Sequence, residues 1–125
     1  MILLDTGVLF EFLADRKLAE PVARILAAGK GAVSSVTVYE LFRGVQSKRH
    51  LQQRAQLLSL VHAIDLTPQI AKLAGKLYAD LKASGELIDN EDILIAATSI
   101  HHAIPVFTTN RKHFARIPRV QLHTA

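Results

Sequence analysis

The chain contains no cysteine and no tryptophan, and only 6% of its 125 residues are aromatic. Without a thiol there is no disulfide framework, thiolate zinc site, cysteine nucleophile or iron–sulfur centre. So few aromatics argue against a broad stacking platform for nucleotide bases. Apolar runs are short, Ile93 to Ala97 being typical, whereas a membrane span needs roughly 18 residues. No Gly-x-x-x-x-Gly-Lys loop, Gly-x-Gly-x-x-Gly turn or Gly-x-Ser-x-Gly elbow occurs, which removes the common phosphate cradles and the serine-hydrolase signature. The six histidines include no His-x-x-x-His or His-Glu-x-x-His pair, and they read as forming no site. The opening Met1-Ile2-Leu3-Leu4-Asp5 has no basic segment ahead of its apolar residues, so no cleaved signal is expected. These absences describe a soluble, cytoplasmic protein with no membrane association.

What the chain has is enough for one core. Half its residues are apolar and 21% are charged, a balance that folds, and the length suits a single domain over residues 1–125. Lys and Arg number 15 against 11 acids, a formal charge of +4. That mild excess is compatible with nucleic acid and with an ordinary basic enzyme. Its distribution is more telling. Arg43, Lys48, Arg49 and Arg54 lie between Leu41 and Ile64 with no acid among them, and Arg111, Lys112, Arg116 and Arg119 follow Ile93 with none. The acids gather instead at Glu86, Asp89, Glu91 and Asp92.

Hydrophobic patterning alternates short strands with helices. Ile2 to Leu4 predicts a buried strand, Val8 to Leu13 a helix, and Glu20-Pro21 the start of another that ends before Gly29. Ala32 to Val36 predicts a second strand, and Val38, Leu41, Phe42 and Val45 a helical stripe. Leu51, Ala55, Leu58 and Val61 give a further stripe, and Ala63 to Leu66 a weak third strand. Pro68 opens a long helix with Ile70, Leu73, Ala74, Leu77 and Leu81 inward and Gly85 as its stop. Ile93 to Ile100 is apolar on nearly every face, so that helix is central; Pro105 to Thr108 predicts a fourth strand and Arg119 to His123 a short fifth. This alternation predicts an α/β fold with a parallel sheet covered on both faces. In such sheets, sites form beyond the carboxyl ends of the strands.

Asp5 ends the first strand, Glu40 lies four residues past the second, Asp92 opens the buried helix and Asn110 follows the fourth strand. Carboxylates gathered in a cleft repel one another unless a cation sits among them. Two or three carboxylates plus water suit Mg²⁺ or Mn²⁺, which can activate a water for attack at phosphorus. Basic surroundings would hold a polyanion, so the pattern points to a metal-dependent nuclease. Each acid also has a plainer reading. Thr37-x-x-Glu40 is a capping box, Asp89-x-x-Asp92 a cap plus a first-turn acid, and Asp5 a cap for the helix after it.

Four segments in register resemble PIN-domain ribonucleases, and among them the VapC toxins of toxin–antitoxin modules. They are Leu3-Leu-Asp5-Thr-Gly-Val-Leu9, Ser35-x-Thr37-x-x-Glu40-Leu-x-x-Gly44, Asp92-x-Leu-Ile-Ala-Ala97 and Phe107-Thr108-x-Asn110-x-x-x-Phe114. The resemblance implies a three-layer α/β/α sandwich with a short central parallel sheet, and an endoribonuclease dependent on Mg²⁺ or Mn²⁺. It implies Asp5, Glu40 and Asp92 as catalytic metal-binding acids, with Thr6, Thr108 and Asn110 as accessory residues; Asp89 is a further candidate accessory acid that the motif does not demand. It also implies an RNA substrate, a cognate antitoxin and a homodimer, with Arg43, Lys48, Arg49, Arg111 and Lys112 suited to RNA phosphates. Gly7 stands where the family usually carries Asn or Ser, and Asn110 where many members carry a fourth Asp. A non-catalytic PIN fold that binds RNA or a protein partner, and an RNA-processing nuclease with no antitoxin, are the competing readings.

Overall fold

A computed structural model describes residues 1–124. Four strands form one all-parallel sheet, β1 (Ile2–Leu4), β2 (Gly31–Ser34), β3 (His62–Ile64) and β4 (Val106–Phe107), in the order β3-β2-β1-β4. Side chains alternate across a strand, so Leu3, Ala32 and Val106 enter one core while Leu4, Val33 and Phe107 enter the other. The first core is closed by α5 (Pro68–Ala83), α6 (Asn90–His102) and α7 (Arg111–Ala115) through Ile70, Leu77, Ile95 and Phe114. The second is closed by α1 (Thr6–Leu13), α2 (Ala19–Ala27), α3 (Ser35–Arg43) and α4 (Lys48–Ser59) through Leu9, Val22, Leu41 and Leu57. The result is the expected three-layer α/β/α sandwich. Truncating a fully buried residue such as Leu3 would cost about 2–5 kcal/mol.

Several boundaries differ from the sequence expectation, each for a local reason. The second strand stops at Ser34, because the Ser34 hydroxyl accepts from the Thr37 N–H at 3.2 Å and starts α3 at Ser35. Val36 therefore lies in a helix despite its β-branched side chain. In α4 the fully buried residue is Leu57, while Leu51 is 48% exposed. Of the stripe drawn through Leu51, Ala55, Leu58 and Val61, the first two are exposed and the last two pack against the second core. Only the C-terminal part of α4 reaches the core, which a uniform period does not reveal. The fifth strand reduces to a single parallel bridge between Val106 and Leu122. The short helix α7 is absent from the sequence reading, since five residues are too few to show a period.

Strand order fixes where a site can form. From β1 the chain steps to β2 and β3 on one side, then crosses over to place β4 on the other side of β1. The crevice at such a reversal lies beyond the carboxyl ends of β1 and β4. Asp5 follows β1 and Thr108 follows β4 directly.

Candidate active site

Three connections deliver acids to this crevice. Asp5 is the N-cap residue of α1, with only 6% of its surface exposed. Glu40 comes from α3, which leaves the adjacent strand β2. It lies in the second turn of α3, one turn later than the expected start of the helix implied. Asp92 is in the first turn of α6. That helix leads into β4, so it must begin at the carboxyl edge and run back under the sheet.

Hydroxyls and backbone groups hold the acids in place. Asp5 Oδ1 accepts from the Thr6 N–H at 2.8 Å, and Oδ2 accepts from the Thr108 hydroxyl at 2.7 Å. The Thr6 hydroxyl lies 2.7 Å from Glu40 Oε1 and 3.1 Å from the buried Thr37 hydroxyl. Arg43 Nη2 approaches Glu40 Oε2 at 3.7 Å and its guanidinium stacks over Tyr39. Asp92 Oδ2 lies 3.0 Å from His113 Nδ1 and 3.4 Å from the Asn110 amide nitrogen. Burial raises the Asp5 pKa above the usual carboxylate range, and the Asp92 charge adds to that, while the bonds from Thr108 and Thr6 oppose it. Burial also raises Asp92, with Asp89 and Glu40 adding to it and His113 opposing it.

The capping reading of Asp5 holds, since it is the N-cap of α1 and accepts from the Thr6 N–H, while the other two are corrected here. Ser34, not Thr37, caps α3, so Glu40 has no capping role and its carboxylate serves Thr6 and Arg43 instead. Asp89 occupies the N-cap position of α6, but its side chain makes no capping hydrogen bond. It belongs instead to a cluster with Asp92 and His113, whose ligand atoms lie within 4.8 Å of one another. The histidines were expected to form no site among themselves, and one of them, His113, lies beside Asp92. His113 sits on the unforeseen α7, and its solitary place in the sequence carried no metal-ligand spacing. Thr6, Thr108 and Asn110 are all brought into the site. Among the basic residues, Arg43 borders Glu40, whereas Lys48 and Arg49 are exposed at the start of α4 and Lys112 on α7. One Arg111 nitrogen donates to the His123 carbonyl at 3.1 Å. Arg54 is structural: it donates to the Leu41 carbonyl and stacks over Phe10.

The PIN domain family matches residues 2–120. The chain belongs to the PIN domain family. Ribonuclease VapC1 of Methanocaldococcus jannaschii is 34% identical over 116 residues, covering 93% of this chain and 80% of that protein. Ribonuclease VapC19 of Mycobacterium tuberculosis is 32% identical, covering 97% of this chain and 98% of its own length. Among solved structures, VapBC2 from Rickettsia felis bound to a promoter DNA fragment superposes with a TM-score of 0.83 at 27% identity, over 98% of each chain. VapBC-1 from nontypeable Haemophilus influenzae superposes with a TM-score of 0.81 at 26% identity, over 98% of this chain and 97% of that one.

The PIN site's donor chemistry fits a divalent cation. It offers hard carboxylate oxygens, and two of its acids are held above their ordinary pKa by burial and mutual repulsion. Asp5 is steadied by a hydroxyl and an N–H with no basic side chain among its hydrogen-bond partners. Such a group of anions is short of positive charge, which is the condition a bound cation relieves.

Proposed function

We propose that this PIN protein is a VapC-type ribonuclease, a single domain acting as the toxin of a toxin–antitoxin pair, that hydrolyses RNA with Mg²⁺ or Mn²⁺. The observation that carries the reading is the convergence of Asp5, Glu40 and Asp92, from three separate elements, on the crevice between β1 and β4. The relatives named Ribonuclease VapC and the VapBC neighbours support the nuclease activity and the antitoxin partner.

Asp5, Asp92 and Glu40 would hold the cation, and when bound it supplies positive charge at the scissile phosphate and lowers the pKa of an attacking water. The chain's own residues do the rest. Thr108 and the Thr6 N–H fix both oxygens of Asp5, so that carboxylate keeps one orientation. The Thr6 hydroxyl does the same for Glu40. Arg43, anchored on Tyr39 and beside Glu40, supplies a fixed cation for a backbone phosphate. Lys48, Arg49, Arg111 and Lys112 provide further positive charge for the RNA backbone. A homodimer and an antitoxin would cover exposed apolar side chains such as Phe10, Leu51, Leu60 and Leu66.

The test is cleavage of a panel of tRNA and rRNA fragments by the purified protein, with Mg²⁺, with Mn²⁺ and with EDTA. Metal-dependent cleavage that a small protein encoded immediately upstream suppresses supports the toxin reading. Cleavage that no such protein affects favours an RNA-processing nuclease. Binding without cleavage under any metal favours the non-catalytic reading.

A further inference from the structure

His113 stands beside Asp92 and Asp89, the acids at the start of α6. It projects from α7, which is pinned by the fully buried Phe114, so its ring is carried on a fixed element. Its Nδ1 lies 3.0 Å from Asp92 Oδ2, and Asp89 completes a set whose ligand atoms all lie within 4.8 Å of one another. The His113 side chain is 29% exposed, so the cluster is reachable from solvent.

Nδ1 is also 2.6 Å from the Asn110 amide nitrogen, which itself lies 3.4 Å from Asp92 Oδ2. A ring nitrogen carries either a proton or a lone pair, and the lone-pair form is the one that binds a metal ion. Within one small cluster, His113 thus offers a nitrogen donor beside the carboxylate oxygens of Asp92 and Asp89.

We infer that His113 is a nitrogen ligand for a cation bound at Asp92, with Asp89 as a further oxygen donor, and that it tunes this position toward Mn²⁺ over Mg²⁺. Mg²⁺ is bound almost entirely through oxygen, whereas Mn²⁺ and the later first-row ions accept imidazole more readily. The inference rests on the divalent-cation reading above and adds the identity of one ligand and the preference it creates.

The experiment is pulsed electron paramagnetic resonance on the protein loaded with Mn²⁺, read for ¹⁴N spin-echo modulation. Modulation from a directly bound imidazole nitrogen is expected, and it disappears in His113→Gln. Calorimetry should show Mn²⁺ affinity falling about 10–100-fold in that variant, as for the loss of an important group around a metal, while Mg²⁺ affinity changes less. Mn²⁺ bound by the unmodified protein with no ¹⁴N modulation overturns the inference and leaves the cation reading standing. Failure of the unmodified protein to bind Mn²⁺ at all overturns both. The first measurement needs no variant, so a misfolded His113→Gln protein does not shield the claim.

Discussion

The Thr108 hydroxyl donates to Asp5 Oδ2 at 2.7 Å, joining the end of β4 to the end of β1 across 103 positions of sequence. The same hydroxyl accepts from the Asn110 N–H at 2.9 Å, so it relays the loop before α7 onto the first acid. Thr108→Val keeps the shape and removes both bonds. The buried Asp5 carboxylate loses a partner, a loss of about 1–3 kcal/mol in stability. Cleavage should fall by about 10–100-fold, as expected for a residue that orients a metal ligand. Thr108→Ser should recover most of both. A Thr108→Val protein with unchanged melting temperature and unchanged cleavage would show that the bond does not matter.

Glu40 separates charge from scaffold. Because Ser34 caps α3, a Gln at position 40 disturbs no helix terminus, and its amide oxygen can still accept from Thr6. Glu40→Gln should melt within a few degrees of the original protein while losing cleavage. Circular dichroism melts alongside an RNA cleavage assay measure both. A variant that stays active yet melts much lower would return Glu40 to a structural role.

Much of this site was legible because parallel topology turns order in the sequence into place in the fold. Asp5 and Asn110 follow strands, and the buried run after Asp92 marks a helix that must return beneath the sheet. His113 was hidden for the opposite reason. Its partner Asp92 lies 21 positions away, and α7 is too short to announce itself. Glu40 was placed on the right helix but one turn too early, and its plain reading as a capping residue depended on where that helix starts. A single serine hydroxyl at Ser34 decided that, and composition does not distinguish it from the neighbouring Ser35.

Gly7 has a steric partner in Thr109. A Cβ built on Gly7 would lie 2.8 Å from Thr109 Oγ1 but 3.9 Å from its Cβ. Gly7→Ala alone therefore forces the Thr109 side chain or the loop before α7 to move. Replacing a helical Gly by Ala is otherwise worth about 1 kcal/mol of stability. In a Thr109→Ala background that gain should appear in full, and in the original background it should be reduced or reversed. A double-mutant cycle by chemical denaturation reads the coupling. Strict additivity would mean the contact is unimportant.

The acids also set the pH response. Asp5 and Asp92 hold their protons more tightly when folded than when unfolded, since both pKa values lie above the ordinary 3.8. Their contribution to stability is therefore full below that value and is lost as pH rises through the raised folded values. At neutral pH without metal they oppose folding, and Asp5→Asn should melt higher than the original protein. Mn²⁺ binds the ionised acids, so it should raise the melting temperature more at pH 7 than at pH 5. At 100 times its dissociation constant a ligand adds about 2.7 kcal/mol. Scanning calorimetry at the two pH values, with and without Mn²⁺, checks this. An Asp5→Asn protein that melts lower than the original at pH 7 would contradict it.

The most direct measurement is the cleavage rate of one defined RNA by the original protein and by Asp92→Asn, each with Mn²⁺ and each after EDTA. Asp92 stands in the first turn of α6 with its carboxylate turned to His113 and Asn110, outside both cores, so Asn at this position should leave the circular dichroism spectrum unchanged. The expected result is cleavage by the original protein with Mn²⁺, abolished by EDTA and restored by added metal, and no cleavage by the variant. Undiminished cleavage in EDTA, or by Asp92→Asn, would contradict a metal-dependent site built from these acids.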